Sequence, residues 1–563
     1  MKFTEFSYAR PDLAAAMDRL DTLAQSIGQA KNADEAKAAF LSYEEIAQQV
    51  GSLSSICYVR HTIDTTDAFY EKENAFWDEM LPLFMDKQLA VYRAMLSSAH
   101  RQALEQQLGR LLFDKMEIDV RSADPAIIPL MQEENRLQTE YQQLYASAQI
   151  PFDGKILTVA QLAPYKQDPD RQVRKAAFEA EGRFFDENQQ AFDRIYDQLV
   201  QNRTEQARRM GYDSFIPLGY IRMKRNGYGV KEVEAYRKQI AQEMVPAVCT
   251  LKQVQQHRIG VDRLQYFDDA FLFPDGNPVP FGSPDEILAA GQQMYRALSP
   301  ETAEFIDFMM DRELFDVLAK EGKAPGGYCT YIPSQKSPFI FSNFNGTAGD
   351  VDVLTHEAGH AFAAYRAAKQ DLLPEYADNT LEACEVHSMS MEFLTSDYHH
   401  LFFADQTDRY QLFHAESAVY FLPYGCMVDE FQHIVYANPS LTPKQRNEAW
   451  LALEKKYRPY LELGDLPFYG RGAGWQRQMH IYLNPFYYID YCLAQTVALQ
   501  FWALWLQNPQ MAWQRYLTLV DQAGTGTFVD VVKAAGLKTP FEAGCVQETA
   551  EMAKGWCLSH QIK

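Results

Sequence analysis

Apolar residues recur every three or four positions through the first 150 residues. Leu13, Met17, Leu20, Leu23 and Ile27 share one helical face, and Ala39, Phe40, Tyr43 and Ile46 share another. Phe76, Leu81, Leu89, Val91 and Met95 extend the pattern. Pro11-Asp12-Leu13 and Asn32-Ala33-Asp34-Glu35 supply helix-start signals. The period therefore predicts helix after helix, with the aromatic stripes as core. No segment of 20 to 50 residues recurs closely enough to predict a solenoid.

Asp153-Gly154, flanked by Ile150-Pro151-Phe152 and Lys155, reads as a tight turn or small hairpin. Asp168-Pro169-Asp170 then caps one long helix expected to run to about Met210, and a further helix is expected from Val230 to about Val254. Residues 263–285 are rich in Asp, Pro, Gly and Phe and predict an irregular loop, after which helices return from Pro284 to Met310. The pattern then changes. Residues 325–332 and Pro338–Phe344 read as two short strands joined by a turn at Pro333–Ser337. An edge strand there could pair with an extended peptide or simply cover the core. Leu381–Leu394 reads as another helix.

Composition changes this picture little. A chain of 563 residues has room for a large core, and 47% hydrophobic with 23% charged residues is ordinary for a globular protein. The net charge of -22 argues against a nucleic-acid partner. Met1-Lys2-Phe3-Thr4-Glu5-Phe6 lacks the basic start and apolar run of a secretory signal, and Thr496–Leu506, interrupted by Gln500, is too short to span a bilayer. The eight cysteines are scattered without close pairs, which fits reduced thiols. The expectation is a cytoplasmic protein with no membrane contact. Cys384 is read as a small buried apolar residue.

The candidate chemistry lies in His356-Glu357-Ala358-Gly359-His360. On a helix, residues four apart share a face, so two imidazoles one turn apart can hold one zinc ion. Glu357 can then reach the open side of the metal without binding it and serve as a general base. A third protein ligand is needed. Asp371, Glu375, Asp378, Glu382 and Glu385 follow, and spacing alone leaves Glu382 and Glu385 both open on the helix Leu381–Leu394. His387 is a rival that would face elsewhere.

Several blocks together resemble the oligoendopeptidase F branch of the thimet oligopeptidase family of zinc metallopeptidases. They are Asn343-Phe344-Asn345-Gly346-Thr347 leading to Asp352-Val353-Leu354-Thr355-His356-Glu357-Ala358-Gly359-His360-Ala361; Glu385 with Ser388 and Glu392; and His480 followed by Pro485-Phe486-Tyr487-Tyr488-Ile489-Asp490-Tyr491. The resemblance covers about residues 200–550 at the level of motif. It implies that His356, His360 and Glu385 bind one zinc ion and that Glu357 is the base. It also implies that His480 and tyrosines, here Tyr488 and Tyr491, stabilise the oxyanion of the tetrahedral intermediate. A tyrosine found in the thimet branch near the position of Asn484 is missing, and Tyr487 competes with Tyr488 for the second donor. Glu392 is expected to hydrogen-bond a ligand histidine.

The implied fold is mainly α, with two helical lobes flanking a deep substrate channel and a small β-sheet next to the zinc-binding helix. Residues 1–150 would form the helical N-terminal lobe and 151–563 the catalytic zinc metallopeptidase region, with the helices of 158–260 contributing to both lobes. The implied activity is zinc-dependent endopeptidase cleavage of short unfolded peptides. Two alternatives compete: a dipeptidyl carboxypeptidase, with Arg471 or Arg477 holding the terminal carboxylate, and a non-catalytic peptide- or zinc-binding protein. The glycine-rich segment Tyr469–Trp475 lacks the Lys-Ser/Thr ending of a phosphate loop and is read as a mobile loop over the cleft.

Overall fold

The computed structural model describes residues 1–320, 322–324, 326–344, 346–370 and 372–562, so Pro325, Asn345 and Asp371 of the sequence argument lie outside the described residues. The described residues are mainly helical, with two small sheets. It forms two compact units. The first comprises Met1–Ser122, Val279–Thr407 and Leu504–Leu537; the second comprises Ala123–Pro278, Asp408–Ala503 and Lys538–Lys563. No helix among the described residues is long and apolar enough to cross a membrane. All eight cysteines are thiols.

In the first unit, Leu13–Gln29 and Ala33–Ile63 begin where their caps predict, because Asp12 accepts from Ala15 N and Asn32 accepts from Glu35 N. With Ala68–Leu96 they bury Leu20, Phe40, Trp77 and Val91 in one core. The helical region expected over 284–310 is two helices, Pro284–Leu298 and Pro300–Asp311, with Ser299 capping the second. The strand region holds three strands, not two. Ser337–Phe344 is central; Tyr328–Ile332 pairs with it antiparallel and Phe315–Leu318 parallel. All but one residue of the central strand is buried, which fits its apolar stretch Pro338–Phe341. Phe315–Leu318 escapes sequence reading because Phe-Asp-Val-Leu is too short to show a period of two.

The central strand feeds the helix Gly349–Ala368, which carries the histidine motif. Helices Pro284–Leu298, Pro300–Asp311 and Pro509–Gln522 are among the elements packed on that helix. Phe362 packs edge-on to Phe305 and is stacked with Tyr516, and Leu354 contacts the backbone face of helix Pro284–Leu298 at Gly291.

In the second unit, Asp153 and Gly154 both adopt positive φ (50° and 70°) and join the short strands Ile150–Phe152 and Lys155–Leu157 in a hairpin. The long helix expected from residue 170 is broken at Asn188 into Arg171–Glu187 and Gln189–Arg209. Asn188 Nδ2 donates to Phe184 O at 2.8 Å, a local bond that competes with helix continuation. The helix expected over 230–254 runs to Arg258 but widens into a π turn at Ile240–Met244, just before Pro246, whose ring nitrogen has no proton to give.

Candidate active site

In the first unit, His356 and His360 occupy one face of Gly349–Ala368 as the spacing requires, with ring centroids 5.0 Å apart. The second helix, Leu381–Leu394, comes close enough to reach them because the motif has a glycine at its centre. A Cβ on Gly359 would lie 2.6 Å from both His387 O and Ser388 Cα, so only glycine permits this backbone approach. Tyr516 OH donates to that same carbonyl, His387 O, at 2.9 Å and ties the second helix to its neighbours.

The close approach brings Glu385 to the two histidines. Its Oε2 lies 3.2 Å from His356 Nε2 and 3.6 Å from His360 Nε2. The candidate ligand atoms of these three residues all lie within 4.8 Å of one another. Tetrahedral ligands about 2.1 Å from one ion are separated by about 3.4 Å, so this donor set fits a zinc-sized cation. It is the one such group among the described residues. Glu382 is fully buried and outside it, as is His387, while Glu375 accepts from Tyr92 OH at 3.0 Å. Ser388 Oγ donates to Glu385 Oε2 at 3.0 Å.

A neighbouring carboxylate orients His356. Glu392 Oε1 stands 2.8 Å from His356 Nδ1, which leaves Nε2 toward Glu385. Burial lowers the pKa of His360 to about 4, so this imidazole is neutral as a ligand must be. Burial acts the same way on His356, but hydrogen bonds to Glu385 and Glu392 outweigh it and hold its pKa up. Glu357 is 8% exposed, and burial, reinforced by the charges of Glu385 and Glu392, raises its pKa to about 7. A carboxyl group tuned to that range suits proton transfer near neutral pH. Cys384 is half-buried rather than fully enclosed.

In the second unit, His480 lies on the short helix Met479–Leu483 and is surrounded by the tyrosines that follow it. Its ring centroid is 5.0 Å from that of Tyr488 and 5.9 Å from those of Tyr487 and Tyr491. The turn between them is fixed by Phe486, at φ 70°, whose N donates to Gln432 Oε1 at 2.9 Å. Asp490, on the buried side of helix Tyr488–Gln507, accepts from Arg225 Nη2 at 2.7 Å. All three tyrosines stay half-buried beside His480 while Ile489 and Asp490 turn inward. Arg225, Gln432 and Gln478, which hold this segment, carried no sequence signal; isolated Arg and Gln residues have no motif spacing.

The segment Tyr469–Trp475 is closely packed, contrary to the mobile loop expected. Tyr469, Ala473 and Trp475 are buried, and a Cβ on Gly470 would lie 2.7 Å from Gly464 O. Its glycines serve backbone packing. Arg471 Nε donates to Asp186 Oδ1 at 2.7 Å, and Arg477 Nε to Glu181 Oε1 at 3.0 Å. Both guanidinium groups thus already have carboxylate partners.

The chain is similar to known peptidases over its full length. Residues 3–123 match the peptidase M3 N-terminal domain, and residues 164–274 and 304–551 match peptidase family M3. A structure of PZ peptidase A with inhibitor 2 superposes with a TM-score of 0.94 at 47% identity, covering 99% of each chain. A Bacillus anthracis protein described as oligoendopeptidase F superposes at 0.89 with 44% identity, covering 99% of this chain and 98% of that one. An oligoendopeptidase F homolog of Borreliella burgdorferi is 24% identical over 259 residues, 44% of this chain and 42% of that protein, so the match spans under half of this curated relative. With a family model matching well over half of its length, the chain belongs to peptidase family M3, in the oligoendopeptidase F branch of metallo-endopeptidases.

Proposed function

We propose that this protein is a zinc-dependent oligoendopeptidase that hydrolyses internal bonds of short unfolded peptides. The observation that carries the reading is the convergence of His356, His360 and Glu385 beside Glu357, two neutralisable imidazoles and one carboxylate spaced for a single cation. In this reading those three residues hold zinc and Glu357 does not. Zinc bound there would acidify water and polarise the peptide carbonyl. The Glu357 carboxylate takes a proton from the attacking water and returns it to the leaving amine nitrogen. Glu392 keeps the His356 proton on Nδ1, so Nε2 presents its lone pair. Negative charge developing on the carbonyl oxygen calls for N–H and O–H donors, and we assign that role to His480, Tyr488 and Tyr491.

Cobalt or manganese would also fit two imidazoles and a carboxylate; the preference for zinc rests on the His-Glu-x-x-His arrangement. The carboxypeptidase alternative needs a cation for the terminal carboxylate, and Arg471 and Arg477 each already hold a carboxylate at Nε, while Arg471 Nη1 and Nη2 have no hydrogen-bond partner among the described residues. The non-catalytic alternative is separated by one variant. Glu357→Gln should keep the metal and lose about 100-fold or more in hydrolysis. Undiminished hydrolysis by that variant would refute Glu357 as the base.

A further inference from the structure

Gln478 stands two residues before His480 at the entrance to helix Met479–Leu483. Its backbone is tied on both sides: N donates to Trp475 O at 3.0 Å, and O accepts from Ile481 N at 3.1 Å. Its side chain bridges two rings. Tyr424 OH donates to Gln478 Oε1 at 2.9 Å, and Gln478 Nε2 lies 2.9 Å from His480 Nδ1. Tyr424 is itself fixed on helix Thr407–Ala437, with its ring edge-on to Trp450 and Tyr488.

An amide nitrogen donates and cannot accept. The Nδ1 atom facing it is therefore the acceptor nitrogen, and the proton of the neutral ring sits on Nε2. A donor aimed at Nδ1 also opposes protonation there, since imidazolium carries protons on both nitrogens. We propose that Gln478, oriented by Tyr424, is a positioning residue that keeps His480 neutral with its proton on Nε2. This rests on the assignment of His480 as a hydrogen-bond donor to the developing oxyanion. The bridge would give that donor the right tautomer before substrate arrives, as preorganisation requires.

The test is 15N NMR of the metal-loaded enzyme labelled at histidine, with the His480 signals identified by their loss in His480→Gln. A pyrrole-type Nε2 and a pyridine-type Nδ1, with a titration midpoint below the ordinary value of about 6.5, are expected. Gln478→Leu should populate both tautomers and lower kcat about 3- to 10-fold with KM unchanged. Gln478→Glu should instead accept from Nδ1–H and move the midpoint upward. Tyr424→Phe, which leaves Gln478 in place, should shift the tautomer signals in the same direction as Gln478→Leu. A proton on Nδ1 in the native enzyme, or unchanged His480 signals in both Gln478→Leu and Tyr424→Phe, would overturn the proposal. Full kcat in His480→Gln would instead refute His480 as a donor while leaving its tautomer assignment intact, so the two failures are distinguishable.

Discussion

Glu392 Oε1 sits 2.8 Å from Nδ1 of His356, seven residues beyond Glu385 on the same helix. One helix thus supplies both a candidate metal ligand and the group that orients another. Such a carboxylate fixes the ring and raises its basicity. Glu392→Ala should weaken metal binding about 10- to 100-fold, measured by competition with a chromophoric chelator. Affinity equal to that of the native protein would show that Glu392 has no part in holding the metal.

Gly359 sets the approach of that helix to the motif. The added methyl of Gly359→Ala meets backbone atoms, which cannot swing aside as a side chain can. The substitution should destabilise the protein by about 1–3 kcal/mol and lower metal affinity, because Glu385 is pushed away from the histidines. Thermal midpoints with and without zinc measure both effects. An unchanged midpoint would mean that the two helices separate at no cost.

How legible this was depends on whether a feature repeats within one segment. The 3.6-residue period gave Leu381–Leu394 its full extent, and the spacing of Glu385 and Glu392 placed both on one face. Spacing alone leaves Glu382 and Glu385 both open, because which of them faces the histidines depends on how the helix packs against its neighbour, where Gly359 and Tyr516 make contacts from elsewhere in the chain. Asn188 breaks a helix through one side-chain bond, and Phe315–Leu318 becomes a strand only because a long buried strand lies beside it. The glycines at 470 and 472 suggested mobility, yet tight backbone packing requires them, and the nearby arginines are engaged by distant Asp186 and Glu181. Partners distant in sequence leave no local trace.

With Glu357 as the proposed base, its titration sets the acid limb of the rate profile. Its pKa is raised to about 7 by burial and by neighbouring carboxylates. A base works only when deprotonated, so the rate rises with pH through that pKa and is lost below it. A bound cation stabilises the carboxylate and moves the limb lower. The kcat/KM profile of the zinc enzyme should therefore fall on the acid side with a midpoint below 7. An acid limb that is unchanged in slope and position in the residual activity of Glu357→Gln would assign it to another group.

The Arg225–Asp490 pair anchors the tyrosine segment. The two side chains are 1% and 0% exposed, so removing either leaves a buried charge without its partner. Asp490→Ala should cost about 3–5 kcal/mol and reduce kcat by loosening Tyr488 and Tyr491. Urea denaturation and steady-state kinetics report the two effects separately. A loss of under 1 kcal/mol would show that water replaces the carboxylate.

The most direct test of the central claim is cleavage of a quenched fluorescent peptide of about ten residues, with metal content measured in the same samples. A chelator should remove one metal equivalent per chain and abolish cleavage, zinc should restore both, and the fragments should come from an internal bond. Sustained cleavage by protein stripped of metal, or no cleavage by protein carrying one zinc per chain, would contradict that claim.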